Sequence, residues 1–192
     1  MNQSKKIDGI QIAQAISDEV KQKTQMLDSK GIQLKLAVVL FGDDKASVSF
    51  IKKKKELAKQ VGIGFELLHL PESTTEEEAI QSIISLQSQK EITGLIVQLP
   101  LPKHINKRNV LEVVSPEKDV DCLTSSNLGK LTAGMPWIIP PTAGAIIEII
   151  KRERIDVSGK HVVVVGRGEL VGKPISILLS QESATLSVCN RQ

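Results

Sequence analysis

The most constraining feature of this chain is the run from His161 to Pro174, HVVVVGRGELVGKP. In it four valines lead into Gly166, Gly168 and Gly172 and then into an apolar helical pattern. Consecutive β-branched residues predict a strand. Glycines spaced G-x-G-x-x-x-G allow a tight turn with an exposed backbone. A helix starting just beyond them aims its first N–H groups and its positive end at an anion. Pro174 suits a first helical turn, where a missing N–H costs little. The run therefore predicts a β-α-β unit with a phosphate site at its turn. The other reading of the same glycines is a turn chosen for backbone geometry alone.

The next strand, ATLSVC, ends in Cys189, Asn190, Arg191 and Gln192. A site for NAD usually carries a carboxylate about 20 residues past the turn, to hold the ribose 2′-hydroxyl. No carboxylate stands there, whereas Arg167 and Arg191 suit a 2′-phosphate. The expected cofactor is NADP, with Gly166, Arg167, Gly168 and Arg191 as its contacts.

Upstream, strand-like and helix-like segments alternate. The pattern opens after Asp8 and Gly9 with an amphipathic helix bearing Ile12, Ala13, Ile16 and Val20. LKLAVVLFG reads as a buried strand, and ASVSFIKKKKELAKQVG as a helix capped by Gly62. FELLHL is a second strand, Thr74 with Glu77 makes a capping box for a helix through Leu86, and ITGLIVQLP is a third strand. A short helix is expected around Val110 to Val114, a crossing segment at TSSNLGK, and a helix capped by Thr142 through Ile150. Such alternation predicts α/β architecture with parallel strands. It divides into an N-terminal αβα lobe, residues 1–123, which the resemblance given below makes the catalytic lobe, and an incomplete Rossmann-like NADP-binding domain, residues 124–192.

Charge and composition narrow the partners. Twenty-five basic and 22 acidic residues give a net charge of only +3, too balanced for a surface that grips duplex nucleic acid. Three phenylalanines, one tryptophan and no tyrosine leave no platform for stacking single strands. The two cysteines, Cys122 and Cys189, form no C-x-x-C pair, so neither a metal cluster nor a disulfide framework is expected, and a reducing cytoplasm fits. No run approaches the roughly 18 apolar residues of a membrane span.

Three polar residues stand out in the first lobe. Lys52 to Lys55 would ordinarily be a solvated helix face. Phe50 and Lys54, four apart, share one face, however, and a ring beside a lysine desolvates it and favours proton exchange. Gln98 lies at the carboxyl end of the third strand, where ligands of open α/β sheets bind, and its amide can position that lysine. Asp121, in EKDVDCL, can accept hydrogen bonds from a polar ring, or merely stabilise a turn.

Taken in order, DGIQIAQAI, the Phe50–Lys54 helix, GLIVQLPLP, PEKDVD, PPTAG and VVVGRGELVGKP resemble the bifunctional methylenetetrahydrofolate dehydrogenase/methenyltetrahydrofolate cyclohydrolase family along the whole chain. The resemblance implies two reactions at one folate site: oxidation of 5,10-methylenetetrahydrofolate with NADP, then hydrolysis to 10-formyltetrahydrofolate. It makes Lys54 the proton-transfer residue, Gln98 its orienting partner and Asp121 the anchor of the pterin. Phe50, Val97 and Leu99 would line the substrate site, and a homodimer is expected. The family usually has tyrosine where this chain has Phe50, and D-G-F where it has Asp121, Cys122 and Leu123. Family members also continue for about a further domain half, so the chain is expected to be a truncated form with an unpaired sheet edge. Alternatives are a non-catalytic folate-binding or dimerising remnant, and a two-lobed NADP dehydrogenase acting on a small acid.

Overall fold

The computed structural model describes residues 6–190. Its order is α1 (Gly9–Asp28), β1 (Lys35–Phe41), α2 (Lys45–Val61), β2 (Gly64–Leu70), α3 (Glu76–Ser88), β3 (Gly94–Val97), α4 (Lys107–Glu112), α5 (Ser125–Thr132), α6 (Pro141–Arg152), β4 (His161–Val165), α7 (Gly172–Gln181) and β5 (Thr185–Cys189). The chain forms two compact units, one of residues 16–125 and one in which the residues from 126 onward group with those before 16.

In the first unit, β1 lies between β2 and β3 and pairs with both in parallel. Successive side chains of a strand point to opposite faces, and β1 shows the consequence. Ala37, Val39 and Phe41 join Ile83, Leu95 and Val110 in a core shared with α3 and α4. Val38 and Leu40 join Ile96 and Ile51, the last of these from α2. The sheet is thus covered on both faces, which is why its strands read as almost continuous apolar runs. At a typical 25 cal/mol per Å², full burial of each such Val, Leu or Ile contributes about 1.5–3 kcal/mol.

Local chemistry sets the helix ends. α2 starts at Asp44, whose carboxylate accepts from the Ser47 N–H at 2.8 Å, and stops at Gly62, a left-handed cap at φ 82°. α3 starts one residue later than the sequence reading placed it. The box is Thr75 with Glu78, the Thr75 hydroxyl accepting from Glu78 N at 3.2 Å and the Glu78 carboxylate from Thr75 N at 2.8 Å. Two threonines before three glutamates admit both registers in sequence. In the fold Thr74 is buried, and its carbonyl faces His104 Nε2 at 2.9 Å.

The third strand is shorter than ITGLIVQLP suggested. Its ladder ends where Gln98 N–H donates to the Val39 carbonyl, and Pro100 and Pro102 beyond it have no N–H to give.

In the second unit, β4 and β5 pair in parallel with α7 between them in sequence, so the β-α-β unit read from the glycine run is present. Leu131, Ala143, Ile147, Ile175, Leu178 and Leu179 form its core. Val162 and Val164 face that core, while Val163 and Val165 point outward, Val165 with 83% of its surface exposed.

Two sequence expectations change here. TSSNLGK is not a crossing segment but most of α5, whose buried face is Asn127 with Leu131, four residues apart. A buried asparagine conceals helical periodicity, and here its Oδ1 accepts from Trp137 Nε1 at 2.9 Å. Thr142 does not cap α6. Pro140 stands at the cap and Pro141 opens the helix, using proline's preset φ and its dispensable N–H.

Candidate active site and dinucleotide turn

Gln98 lies two residues past Ile96 and therefore faces the α2 side of the sheet. On α2, Lys54 is half-buried while Lys52, Lys53 and Lys55 are exposed, so the lysine run divides as helical geometry requires. Lys54 Nζ donates to Gln98 Oε1 at 3.0 Å, and Gln98 Nε2 donates to the Leu99 carbonyl at 2.8 Å. The amide orientation is thereby set at both ends, and its oxygen is the end turned to the lysine. Phe50, one turn before Lys54, keeps 59% of its surface exposed, an open ring beside the lysine and available for stacking.

Asp121 stands on the loop that follows α4. Burial pushes its carboxyl above the ordinary aspartate range; the positive charge of Lys54 opposes that rise and the negative charge of Asp119 adds to it. Lys54, Gln98 and Asp121 thus form one electrostatic cluster. Val97 is placed differently. Its side chain is buried in the α3–α4 core, so only its backbone is left to meet a ligand on the Lys54 side. Leu99 is half-buried, and its carbonyl is the acceptor for Gln98.

An open cleft of this unit, about 790 Å³, lies elsewhere. It sits over the carboxyl ends of the three strands, among Gly42, Asp43, His69, Pro71, Glu72 and Pro100, and takes in none of the predicted residues. Convergent chemistry, not cleft size, makes the Lys54 cluster the candidate site. Among the described residues, no group of three or more His, Cys, Asp or Glu side chains is arranged to hold a metal ion.

Sequence reasoning passed over Asp119. It is buried at 3% exposure and accepts from Leu123 N–H at 3.0 Å, Thr124 N–H at 2.9 Å and the Thr124 hydroxyl at 2.8 Å. The only signal was the repeated aspartate of KDVD, in which the second residue drew the attention.

In the second unit the strand ends at Val165 and the chain turns at Gly166, at φ 116°, whose N–H donates to the Cys189 carbonyl at 2.8 Å. Lys173 N–H donates to the Gly168 carbonyl at 3.0 Å, and α7 begins with no side chain capping it. The three glycines differ in kind. A Cβ on Gly172 would lie 2.1 Å from the Gly166 carbonyl oxygen, so that glycine permits the turn to close. A Cβ on Gly166 or Gly168 would meet nothing within 4 Å, which leaves their backbone open to a ligand. An uncapped helix start beside bare backbone suits an anion. Arg167 is exposed at this turn, and Arg191 lies outside the described residues. An apolar groove of about 710 Å³ runs from the turn along Val163 and Val165.

These features define an α/β chain with a polar lysine–amide–carboxylate site in one unit and a dinucleotide-type turn in the other. The model of the tetrahydrofolate dehydrogenase/cyclohydrolase catalytic domain matches residues 7–121, and that of the family's NAD(P)-binding domain matches residues 140–192. The chain belongs to the tetrahydrofolate dehydrogenase/cyclohydrolase family.

It is 41% identical to bifunctional protein FolD 2 of Desulfitobacterium hafniense over 96% of its own length and 65% of that protein, and 42% identical to bifunctional protein FolD of Bacillus pumilus over the same shares. Among solved structures, the bifunctional enzyme FolD from Campylobacter jejuni is 37% identical with a TM-score of 0.94, over 96% of this chain and 66% of that one. A Trypanosoma brucei methylenetetrahydrofolate dehydrogenase-cyclohydrolase, solved with NADP and an inhibitor, is 34% identical with a TM-score of 0.94, over 99% of this chain and 65% of that one. The chain thus spans just under two thirds of the length of these relatives.

Proposed function

We propose that this chain carries the folate site and the dinucleotide turn of an enzyme that oxidises 5,10-methylenetetrahydrofolate with NADP and hydrolyses the methenyl product to 10-formyltetrahydrofolate. The observation that carries the reading is the Lys54–Gln98 hydrogen bond within reach of the half-buried Asp121. A methenyl carbon needs water delivered with a base at hand, and the pterin needs a polar anchor away from solvent. Asp121 offers a carboxylate to the ring N–H groups. Phe50 offers a face to the aryl portion of the substrate. Lys54 takes the proton from the adding water, while Gln98 Oε1 holds the amine on target. Val97 and Leu99 complete the wall, the former through its backbone.

The residues of the turn fit NADP. The backbone of Gly166 and Gly168 and the start of α7 would hold the pyrophosphate, and Arg167 with Arg191 would hold the 2′-phosphate. When bound, NADP supplies the hydride acceptor for the first reaction. A homodimer in a reducing cytoplasm is the setting this reading takes, acting on tetrahydrofolate derivatives rather than nucleic acid or membrane. Among the described residues, no helix is long and apolar enough to cross a membrane.

The test is loss of absorbance of 5,10-methenyltetrahydrofolate in the presence of the chain, compared with Lys54→Ala. Saturable tetrahydrofolate binding without turnover in the unaltered chain would instead support a non-catalytic folate-binding protein.

A further inference from the structure

We propose that Asp119 is a positioning residue for Asp121: its carboxylate locks the loop from Asp119 to Thr124 in the one conformation that turns Asp121 toward Lys54. The proposal rests on the folate reading of the site and deepens it.

The loop is anchored before Asp119 and clamped after it. On the near side, Leu95 N–H of β3 donates to the Lys118 carbonyl at 2.7 Å, and Leu95 and Asp119 form a parallel bridge. Lys118 Nζ donates to the carbonyls of Gln87 and Gln89, tying the same point to the end of α3. On the far side, the Asp119 carboxylate takes the N–H groups of Leu123 and Thr124 and the Thr124 hydroxyl. Only Val120, Asp121 and Cys122 lie between the two anchors.

Cys122 is fully buried and held at φ 57°, a conformation an L-residue adopts only when its surroundings over-determine it. The carboxylate of Asp119, three residues upstream, closes the ring of hydrogen bonds that imposes it. Without that closure the chain relaxes at 122, and the direction of the neighbouring Asp121 relaxes with it. Asp119 also faces Asp121 as a second negative charge, opposite to the charge of Lys54. One side chain therefore governs both where the anchoring carboxylate points and how readily it holds a proton.

The experiment follows the Asp121 carboxyl carbon by ¹³C NMR through a pH titration of the whole chain, assigned with Asp121→Asn, alongside amide exchange at Leu123 and Thr124 and calorimetric titration with tetrahydrofolate. Asp119→Ala is expected to return the Asp121 titration toward the ordinary aspartate range, to speed exchange at both amides, and to weaken tetrahydrofolate binding about tenfold. Asp119→Asn keeps one oxygen for Thr124 and Leu123 and guards against a general failure to fold. It is expected to preserve amide protection while Asp121 titrates lower than in the unaltered chain, because a neighbouring negative charge is gone. If Asp121 and both amides behave in the two variants as in the unaltered chain, the proposal is overturned. If the unaltered chain binds no tetrahydrofolate yet Asp119→Ala still shifts Asp121, the folate reading fails and the positioning role is supported.

Discussion

Lys54 on α2 donates to Gln98 at the end of β3 at 3.0 Å, and this bond joins a helix to the strand that ends beside it. The other half of the amide is occupied by the Leu99 carbonyl, so Gln98 is a fixed acceptor and not a side chain free to turn away. The geometry holds the Lys54 amine against an acceptor that is itself held in place.

Removal of that amine should abolish hydrolysis while leaving substrate affinity largely in place. Lys54→Ala is expected to lower turnover of methenyltetrahydrofolate by about 10²- to 10⁴-fold, the usual contribution of a positioned acid–base group. Gln98→Glu places a carboxylate against the amine and holds it charged, so turnover should also fall with little change in KM. Stopped-flow absorbance reads both variants, and unchanged turnover in Lys54→Ala removes the lysine from the mechanism.

Asp121 should weigh on stability in a pH-dependent way. Its folded carboxyl titrates above its ordinary value of 3.8, so its contribution to stability is fully present below that value and is lost as pH rises through the raised one. Asp121→Asn escapes this loss. Thermal melts should show the variant more stable than the unaltered chain at pH 7, with the gap closing below about pH 3.8. A gap that is constant across pH would contradict the burial of this carboxylate. The same variant should lose tetrahydrofolate affinity.

The glycines of the turn should respond to alanine in opposite ways. Gly172→Ala sets a methyl group against the Gly166 carbonyl and should cost about 2–3 kcal/mol or prevent the turn from forming. Gly168→Ala meets nothing in the fold and should change stability by less than about 0.5 kcal/mol, yet under the proposed NADP reading it would cover backbone that the pyrophosphate approaches. Melting curves paired with NADP calorimetry separate the two. Full NADP affinity in Gly168→Ala argues against phosphate binding at this turn.

The cysteines offer a labelling test of the same site. Burial pushes the Cys122 thiol up to about 11, so at neutral pH it is both hidden and protonated. Cys189 is exposed and lies beside the turn, its carbonyl bonded to Gly166 N–H. Iodoacetamide at pH 7.5 should modify Cys189 and spare Cys122, and saturating NADP should slow the Cys189 reaction. Peptide mass spectrometry reads both, and equal rates with and without NADP would place the dinucleotide elsewhere.

Much of this was legible in the sequence because it depends on neighbours along the chain. Apolar runs gave the strands of both units, Gly62 gave the end of α2, and a spacing of four separated Lys54 from the lysines around it. The valines and glycines of HVVVVGRG gave the β-α-β turn. Position in the chain even placed Gln98 at the end of the third strand.

Tertiary structure decided what depends on residues far apart. It chose Thr75 over Thr74, since both precede glutamates and only burial and a partner at His104 distinguish them. It made α5 a helix by burying Asn127 against Trp137, an interaction that composition cannot announce. It turned Val97 inward, joined Lys54 to Gln98 across 44 residues, and gave Asp119 the work of shaping the Asp121 loop. Helix periods, strand runs and turn glycines are set by local sterics, and so the sequence by itself determined the elements other than α5 and the kind of turn at Gly166. Which polar side chains meet, and which carboxylate takes the N–H groups of the loop, is set by packing that brings distant segments together, and only the folded chain decided it.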